Sequence, residues 1–250
     1  MISVCMAAYN GAKYIRKQID SILCQLGKDD ELIISDDNSS DDTVKIIRNI
    51  NDKRIKIISH LRSNINNRYS NNHYMVTSNF ENALSYANGD YIFLSDQDDI
   101  WHPERIALMS KALETHPIVY APFTMIDENE HEITTNQKYP HITGNLFRDL
   151  ITQPYFGCCM AFRRSLLNVA LPFPKGTITH DNWVGLLAEI LGVKIHILET
   201  PLLYYRIHSN NVSHRINSNP LLFKIYYRIK QLLQLYNRKY HSNTAKLIQI

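Results

Sequence analysis

Nowhere do the 250 residues spell G-x-x-x-x-G-K-S/T or G-x-G-x-x-G, and only eight are glycine. The glycine-rich backbone cradle that P-loop and dinucleotide-binding folds use for phosphates is therefore missing. Cysteine is sparse too: Cys5, Cys24, Cys158 and Cys159 form no C-x-x-C pair and no Cys/His spacing suited to zinc. Reduced core thiols in a reducing cytosol are expected. No window approaches the ~20 apolar residues of a membrane span. The apolar start Ile2–Ala8 is too short for a secretion signal and lacks its basic flank. The expected location is cytoplasmic, with a peripheral position at the inner face of the cell membrane as the variant.

Acidic residues are absent from one end of the chain. Between Thr200 and Ile250 there is no Asp or Glu, against eight basic residues: Arg206, Arg215, Lys224, Arg228, Lys230, Arg238, Lys239 and Lys246. Taking eight from the formal net charge of +3 leaves −5 for residues 1–199. That asymmetry points to an anionic partner for the tail, a lipid surface or nucleic acid. Leu222, Ile225, Tyr226, Ile229, Leu232, Leu233 and Tyr236 recur among these basic residues. The pattern predicts a basic amphipathic helix from about Asn219, suited to an anionic membrane interface. An apolar face of this kind equally suits packing on the domain, and both can hold at once.

What is present upstream alternates strand and helix. Ile2–Ala8, ELIIS (31–35), Ile55–Ser59 and YIFL (91–94) read as strands, and residues 12–26, 41–50 and 78–87 have helical spacing. Further on, a helix is expected from His102-Pro103 to about Thr115, a strand at 118–122, a polar hairpin or loop at 127–141, a helix at 179–191, and strands at 193–198 and just after Pro201. Apolar strand-length runs separated by helices predict a mainly parallel sheet covered on both faces. Such a sheet binds its ligand beyond the carboxyl ends of its strands. Three polar clusters lie at those ends: Ala8-Tyr9-Asn10-Gly11, Asp36-Asp37-Asn38-Ser39-Ser40-Asp41-Asp42, and Ser95-Asp96-Gln97-Asp98-Asp99.

The third cluster carries the sharpest chemistry. Three carboxylates in four residues repel one another by roughly 1 kcal/mol or more per close pair, and a divalent cation removes that cost. Hard oxygen donors suit Mg²⁺ or Mn²⁺, ions that bridge carboxylates to substrate phosphates. Asp99 fits a helix cap as well as a ligand. In the second cluster Asp41 suits a helix cap, whereas one of Asp36 and Asp37 could accept a nucleobase N–H. At His180-Asp181-Asn182-Trp183 a helix begins; Asp181 could take a proton from a sugar hydroxyl while Trp183 stacks on the ring, or Trp183 could anchor the helix in the core. Alternation along Tyr205-Arg206-Ile207-His208 places Arg206 and His208 on one strand face, within reach of a phosphate and a metal together.

In this order and spacing the motifs resemble the family-2 glycosyltransferases, in particular their bacterial rhamnosyltransferase-like branch. Tyr9-Asn10-Gly11, the Gln25 region, Asp36-Asp37-Asn38-Ser39 through Asp41, Ser95-Asp96-Gln97-Asp98-Asp99-Ile100-Trp101, His180-Asp181-x-Trp183 and Tyr205-Arg206-x-His208-x-Asn210 carry the resemblance, across about residues 1–212. It implies a GT-A fold, a Rossmann-like open mixed and mainly parallel sheet with helices on both faces, followed here by a helical tail at 213–250. Residues 1–101 would form the nucleotide half and 102–212 the acceptor half. It also implies a nucleotide-diphosphate sugar donor carrying uridine or deoxythymidine. Tyr9 and Asp37, with Asp36 nearby, would line the base, and Asp96 the ribose or metal. Asp98 and His208 would hold Mn²⁺ or Mg²⁺, and Arg206 would offset charge on the leaving diphosphate. Asp181 would be the catalytic base of an inverting transfer, with His180 and Trp183 against the substrate.

Two departures from the family pattern stand out. No Arg precedes the helix near residue 78, where the chain reads Tyr74-Met75-Val76-Thr77-Ser78-Asn79 and the nearest basic residue is Arg68, and Asn38 replaces a commoner Gly. The expected partners are the sugar nucleotide, a glycan or lipid-linked oligosaccharide acceptor in surface polysaccharide (O-antigen or capsule) synthesis, and an anionic membrane, with no nucleic acid. A metal-dependent nucleotidyltransferase is the rival enzyme reading, although Ala7-Ala8-Tyr9-Asn10-Gly11 is not its Gly-rich basic loop. A non-catalytic membrane-associated module is the other rival, and it leaves the strand-end carboxylates without a purpose.

Overall fold

The computed structural model describes residues 1–61, 71–134, 141–209, 211 and 220–242. The first 95 residues alternate strand and helix: β1 (Ile2–Ala8), α1 (Ile15–Leu23), β2 (Glu31–Asp36), α2 (Thr43–Arg48), β3 (Ile55–Ser59), α3 (Asn71–Ser85) and β4 (Tyr91–Ser95). Then come β5 (Ile100–Trp101), α4 (Arg105–Leu113), β6 (Ile118–Tyr120), β7 (Thr124–Ile126) and α5 (Leu146–Thr152). After a 3-10 turn at Gly157–Cys159 follow β8 (Met160–Arg163), α6 (Arg164–Ala170), α7 (His180–Ile190), β9 (Ile195–Ile197), β10 (Leu203–Arg206) and α8 (Leu221–His241).

Seven strands form one sheet in the order β3-β2-β1-β4-β8-β6-β9. Its pairings are parallel except that β8 runs antiparallel to both β4 and β6. This is the open, mixed and mainly parallel sheet expected from the sequence. Its central strands are almost unbroken apolar runs because helices cover both faces; Val4, Cys5, Met6, Leu32, Ile33, Ile34, Ile92, Phe93 and Leu94 are fully buried. Register fixes the site. Ala8 lies opposite Asp36, and Met6 opposite Ser95, so the chain leaves β1, β2 and β4 along one edge.

A three-stranded sheet, β5-β10-β7, sits beyond that edge. Leu203 pairs with Trp101 and Arg206 with Ile126, which ties the residues after β10 to the acidic loop before β5. The polar stretch after β7 turns back as a short hairpin, in which Asp127 donates its N–H to His131 O and Ile126 bridges Glu132.

Most elements lie where the pattern placed them, with differences at their ends. The first helix begins at Ile15 rather than Ala12, after a turn whose leading N–H groups, on Gly11 and Ala12, are held by Thr43 and Asp41. Nothing in the sequence pattern marked elements between 142 and 178, yet α5, β8 and α6 lie there. These are four to seven residues long, too short for helical or strand periodicity to stand out.

Helix α8 packs against α7 and α5. Its seam on the domain is narrow and partly polar: Tyr227, Gln231 and Leu235 are buried. Opposite that seam Leu222, Tyr226, Ile229, Leu233, Tyr236 and Tyr240 recur at three- and four-residue spacing and stay exposed, Leu222 by 80% and Leu233 by 64%. Both readings of the tail are thus physically compatible, one face on the domain and a second apolar face outward. No helix among the described residues is long and apolar enough to cross a membrane.

Candidate active site

Three loops converge beyond the carboxyl ends of β1, β2 and β4. The first is clamped by Gln97, whose Oε1 accepts the Tyr9 N–H at 2.9 Å while its Nε2 donates to Tyr9 O at 3.0 Å. A Cβ on Gly11 would collide with that same amide, so a larger residue there would displace the Gln97 clamp. Asn10, at φ 49°, accepts the Ser40 N–H through its side chain and joins the first loop to the second. Tyr9 itself stays 43% exposed at the crevice mouth.

In the second loop the adjacent carboxylates separate in role. Asp36 turns back on its own loop, accepting from Ser39 N at 3.0 Å and from Ser39 Oγ at 2.5 Å. Asp37 faces the other way, against His60 at the end of β3, with Oδ1 2.8 Å from Nδ1. Asn38 holds φ 60°, the left-handed conformation that Gly or Asn adopts most readily, so its exchange for Gly leaves the loop path open. Asp41 is not the N-cap expected of it: Asp42 holds that place, and Asp41, one residue earlier, accepts from the N–H and hydroxyl of Thr43 in the first turn of α2.

The third loop holds the acids. Asp98 Oδ2 lies 2.9 Å from His208 Nε2, so these two residues, 110 apart in sequence, meet as expected. Asp96 and Asp99 bring carboxylate oxygens within 4.8 Å of each other and of Cys158 Sγ. Burial, then the charges of Asp98 and Asp181, push Asp96 up to about 7. Burial, then Asp98 and Asp96, push Asp99 well above the carboxylate range. Asp99 is not a helix cap: Oδ1 accepts the Arg206 N–H at 3.0 Å, and Oδ2 is buried without a partner among the described residues.

This donor set suits a divalent cation. It is rich in hard oxygen, it contains an unpartnered buried carboxylate oxygen, and its mutual repulsion is what a cation would relieve. Asp96 and Asp99, with the Asp98–His208 pair beside them, are the groups that would hold the ion. The Cys158 thiol beside them is pushed well up by its neighbour Cys159 and by burial, so it is protonated when no cation is bound.

Asp181 stands in the first turn of α7, where the N-terminal end of the helix favours a negative charge. Its Oδ1 accepts from Asn182 N at 2.7 Å and Asn182 Nδ2 at 3.0 Å. It faces the acidic loop closely enough for its charge to raise Asp96. The two carboxyl groups read from distant motifs therefore lie near enough to interact electrostatically.

Three sequence expectations need correction. Trp183 cannot stack on a sugar ring: it is fully buried, its indole N–H donates to Ala170 O at 3.1 Å, and the Arg238 guanidinium covers its ring at 5.5 Å. It anchors α7 in the core. His180 does not line the crevice either, because it stacks on Phe80 at 4.0 Å and a Cβ on Gly157 would sit 2.6 Å from its Nε2. Burial holds it below the ordinary histidine range, hence neutral. Arg206 is not aimed at a diphosphate. Its side chain is buried, its Nε donates to Asp98 O at 2.9 Å, and its Nη atoms hold Asp127 O, Glu128 O and the Glu130 carboxylate. Alternation did put Arg206 and His208 on one side, but the hairpin after β7 takes the guanidinium.

Sequence reasoning missed four participants. Gln97 lay inside the acidic motif and was read only as a spacer. His60 closes β3, a strand end that should have been searched like the other three. Tyr14 sits between the Arg206 guanidinium (4.8 Å) and the His208 ring (4.9 Å). The hairpin carrying Glu128 and Glu130 is clasped to the turn before α1 by Lys13 and to α1 itself by Lys17, and only folding could bring these together. Gln25 also finds its reason: Oε1 accepts the Ile106 N–H at 3.1 Å in the first turn of α4. Arg68 and Asn210 lie outside the described residues.

A family model described as Glycosyl transferase family 2 matches residues 3–170, well over half of the chain. The chain belongs to that family. Among related family-2 glycosyltransferases, the UDP-Glc:alpha-D-GlcNAc-diphosphoundecaprenol beta-1,3-glucosyltransferase WfaP of Escherichia coli is 28% identical over 216 residues, 85% of this chain and 80% of WfaP. The dTDP-rhamnosyl transferase RfbG of Shigella flexneri is 27% identical over 264 residues, covering 97% and 83%. In architecture the chain is similar to S. aureus TarS 1–349 in complex with UDP-GlcNAc (TM-score 0.66, 18% identity), covering 93% of this chain and 66% of that one. It is also similar to Mycobacterium tuberculosis glucosyl-3-phosphoglycerate synthase in complex with Mn²⁺, UDP and glucosyl-3-phosphoglycerate (TM-score 0.58, 19% identity, 97% and 81% covered). These likenesses establish the GT-A fold of this family-2 glycosyltransferase.

Proposed function

We propose that the chain transfers a sugar, rhamnose or another hexose, from a UDP- or dTDP-sugar to a glycan acceptor in surface polysaccharide synthesis, with inversion and with Mn²⁺ or Mg²⁺. The observation that carries this is the contact of Asp98 with His208 in the acidic loop after β4, beside Asp96, with Asp181 near enough for its charge to act on Asp96. Residues 1–101 carry the nucleotide half, with Tyr9 and Asp37 against the base, and residues 102–212 the acceptor half. When bound, the cation supplies positive charge that offsets the charge growing on the departing diphosphate. Asp181 takes the proton of an acceptor hydroxyl, whose oxygen forms the new bond to the anomeric carbon as the bond to the diphosphate breaks on the opposite face. No covalent nucleophile is needed. The Mn²⁺ bound with UDP in the glucosyl-3-phosphoglycerate synthase complex supports the metal. The names of WfaP and RfbG support the donor class.

Product analysis tests the reaction class. With donor and acceptor supplied, free nucleoside diphosphate should accumulate in step with the glycoside. Release of pyrophosphate instead would move the chain to the nucleotidyltransferases.

A lipid-linked acceptor, as in the name of WfaP, requires the enzyme to work at a bilayer. The outward stripe of α8 suits that: apolar at its centre, with Arg228, Lys230 and Lys239 along the helix and no acidic residue between Thr200 and Ile250. A second copy of the same stripe would bring like charges together. The protein should co-sediment with vesicles containing phosphatidylglycerol at low salt, and Leu222→Ser with Leu233→Ser should release it. Equal binding to purely zwitterionic vesicles, or none to either, would rule out this role.

A further inference from the structure

The inner seam of α8 does something its outer stripe does not explain. Two of its three buried residues are polar, Tyr227 and Gln231. A helix that only had to stay attached would bury more stability with apolar side chains there. Both polar groups reach toward one short segment, 177–179, which leads into α7 and Asp181. The Tyr227 hydroxyl accepts the Ile178 N–H at 2.9 Å in a buried setting. Gln231 Oε1 accepts from Gln153 Nε2 at 3.0 Å, and Gln153 Oε1 in turn accepts from Thr179 Oγ1 at 3.4 Å. From the opposite side Thr77 of α3 completes the grip, donating its hydroxyl to Ile178 O at 2.7 Å and accepting the His180 N–H at 3.1 Å.

Thr179 precedes α7 with φ −128° and ψ 108°, and its own side chain caps no helix N–H. The backbone that leads into α7 is thus held from outside, by Thr77 on one flank and by the tail on the other, while Trp183 anchors the helix itself. Asp181 follows two residues after Thr179, so a small rotation of this segment moves its carboxylate relative to the acidic loop. We propose that α8 is a positioning element of the active centre: Tyr227 and Gln231 fix the 177–179 segment and thereby hold Asp181 at the angle that proton removal needs. This rests on the reading of Asp181 as the base.

The test uses the full chain, with rates measured on a soluble acceptor to keep bilayer binding out of the readout. Tyr227→Phe keeps the ring and deletes the hydroxyl. Gln231→Leu replaces an amide whose Nε2 is buried and unpartnered among the described residues. If Gln231 matters only for stability, Gln231→Leu should leave kcat unchanged with an equal or higher melting temperature. Positioning predicts the reverse split: kcat about tenfold lower in both variants, with donor KM unchanged, since a 1 Å misplacement can cost about 10²-fold in rate. Wild-type kcat in both folded variants would overturn the proposal. Asp181→Asn, run beside them, separates the two failures. If it keeps full activity, the assignment of the base is wrong; if it is inactive while both tail variants turn over normally, only the positioning role is lost.

Discussion

Asp181→Asn should lower kcat by about 10³-fold while leaving donor binding intact. General-base catalysis contributes roughly 10²–10⁴ in rate, and 10³ corresponds to about 4 kcal/mol of barrier. The substitution is nearly isosteric, and the hydrogen bonds that Oδ1 accepts from Asn182 N and Nδ2 can be taken by an amide oxygen. No core contact is removed, so the melting temperature should hold. Donor affinity, read by titrating the nucleotide with Mn²⁺ present, should hold too, because Asp181 acts on the acceptor. Steady-state transfer against this titration checks both halves. A variant that binds donor and transfers at the wild-type rate would remove Asp181 from the chemistry.

The frame of this fold was legible because its central strands are buried on both faces. Burial forces unbroken apolar runs such as ISVCMAA in β1 and YIFLS in β4, and those runs stand out against the polar loops around them. Parallel pairing then dictates that Tyr9, Asp37 and Asp96 emerge at one edge. The acceptor half was less legible for the same physical reason in reverse. Its strands β6, β8 and β9 are three or four residues long, and β8 runs antiparallel between β4 and β6, both of which come well before it in the chain. No local period encodes such pairing. Even so, α7 was read within a residue at each end, because eleven helical residues give three turns of apolar spacing.

Within the site, residue type and spacing picked out carboxylates that the fold gathers at one edge of the sheet, but not which way side chains turn. Asp98 and His208 meet as expected, yet Arg206, two residues from His208, is taken by carbonyls of the Asp127–Glu130 turn. A guanidinium beside a phosphate and one beside backbone carbonyls look alike in sequence, since both need five planar donors. Trp183 shows the same limit. An aromatic one turn into a helix suits a ring platform or a core anchor, and only the contact with Ala170 O decides for the anchor. Asp37 and His60 were hidden differently: their contact spans two adjacent strand ends, and the histidine carries no motif of its own.

The second large effect concerns the donor side. Wild-type protein should be stabilised by a UDP- or dTDP-sugar only when Mn²⁺ or Mg²⁺ is present, and Asp98→Asn should abolish that stabilisation. A ligand at about 100 times its dissociation constant adds about 2.7 kcal/mol to the folded state, a shift that thermal denaturation reads easily. Asp98 is chosen because its oxygen meets His208 and its charge helps raise both Asp96 and Asp99. Removing that charge relieves repulsion in the metal-free protein, so the variant should be no less stable than wild type without ligand. Loss of the nucleotide shift therefore cannot be put down to unfolding. EDTA on wild type should copy the variant's response. Nucleotide binding that survives both EDTA and Asp98→Asn would leave the acidic loop without a metal role, and the carboxylates would then have to act on the sugar itself.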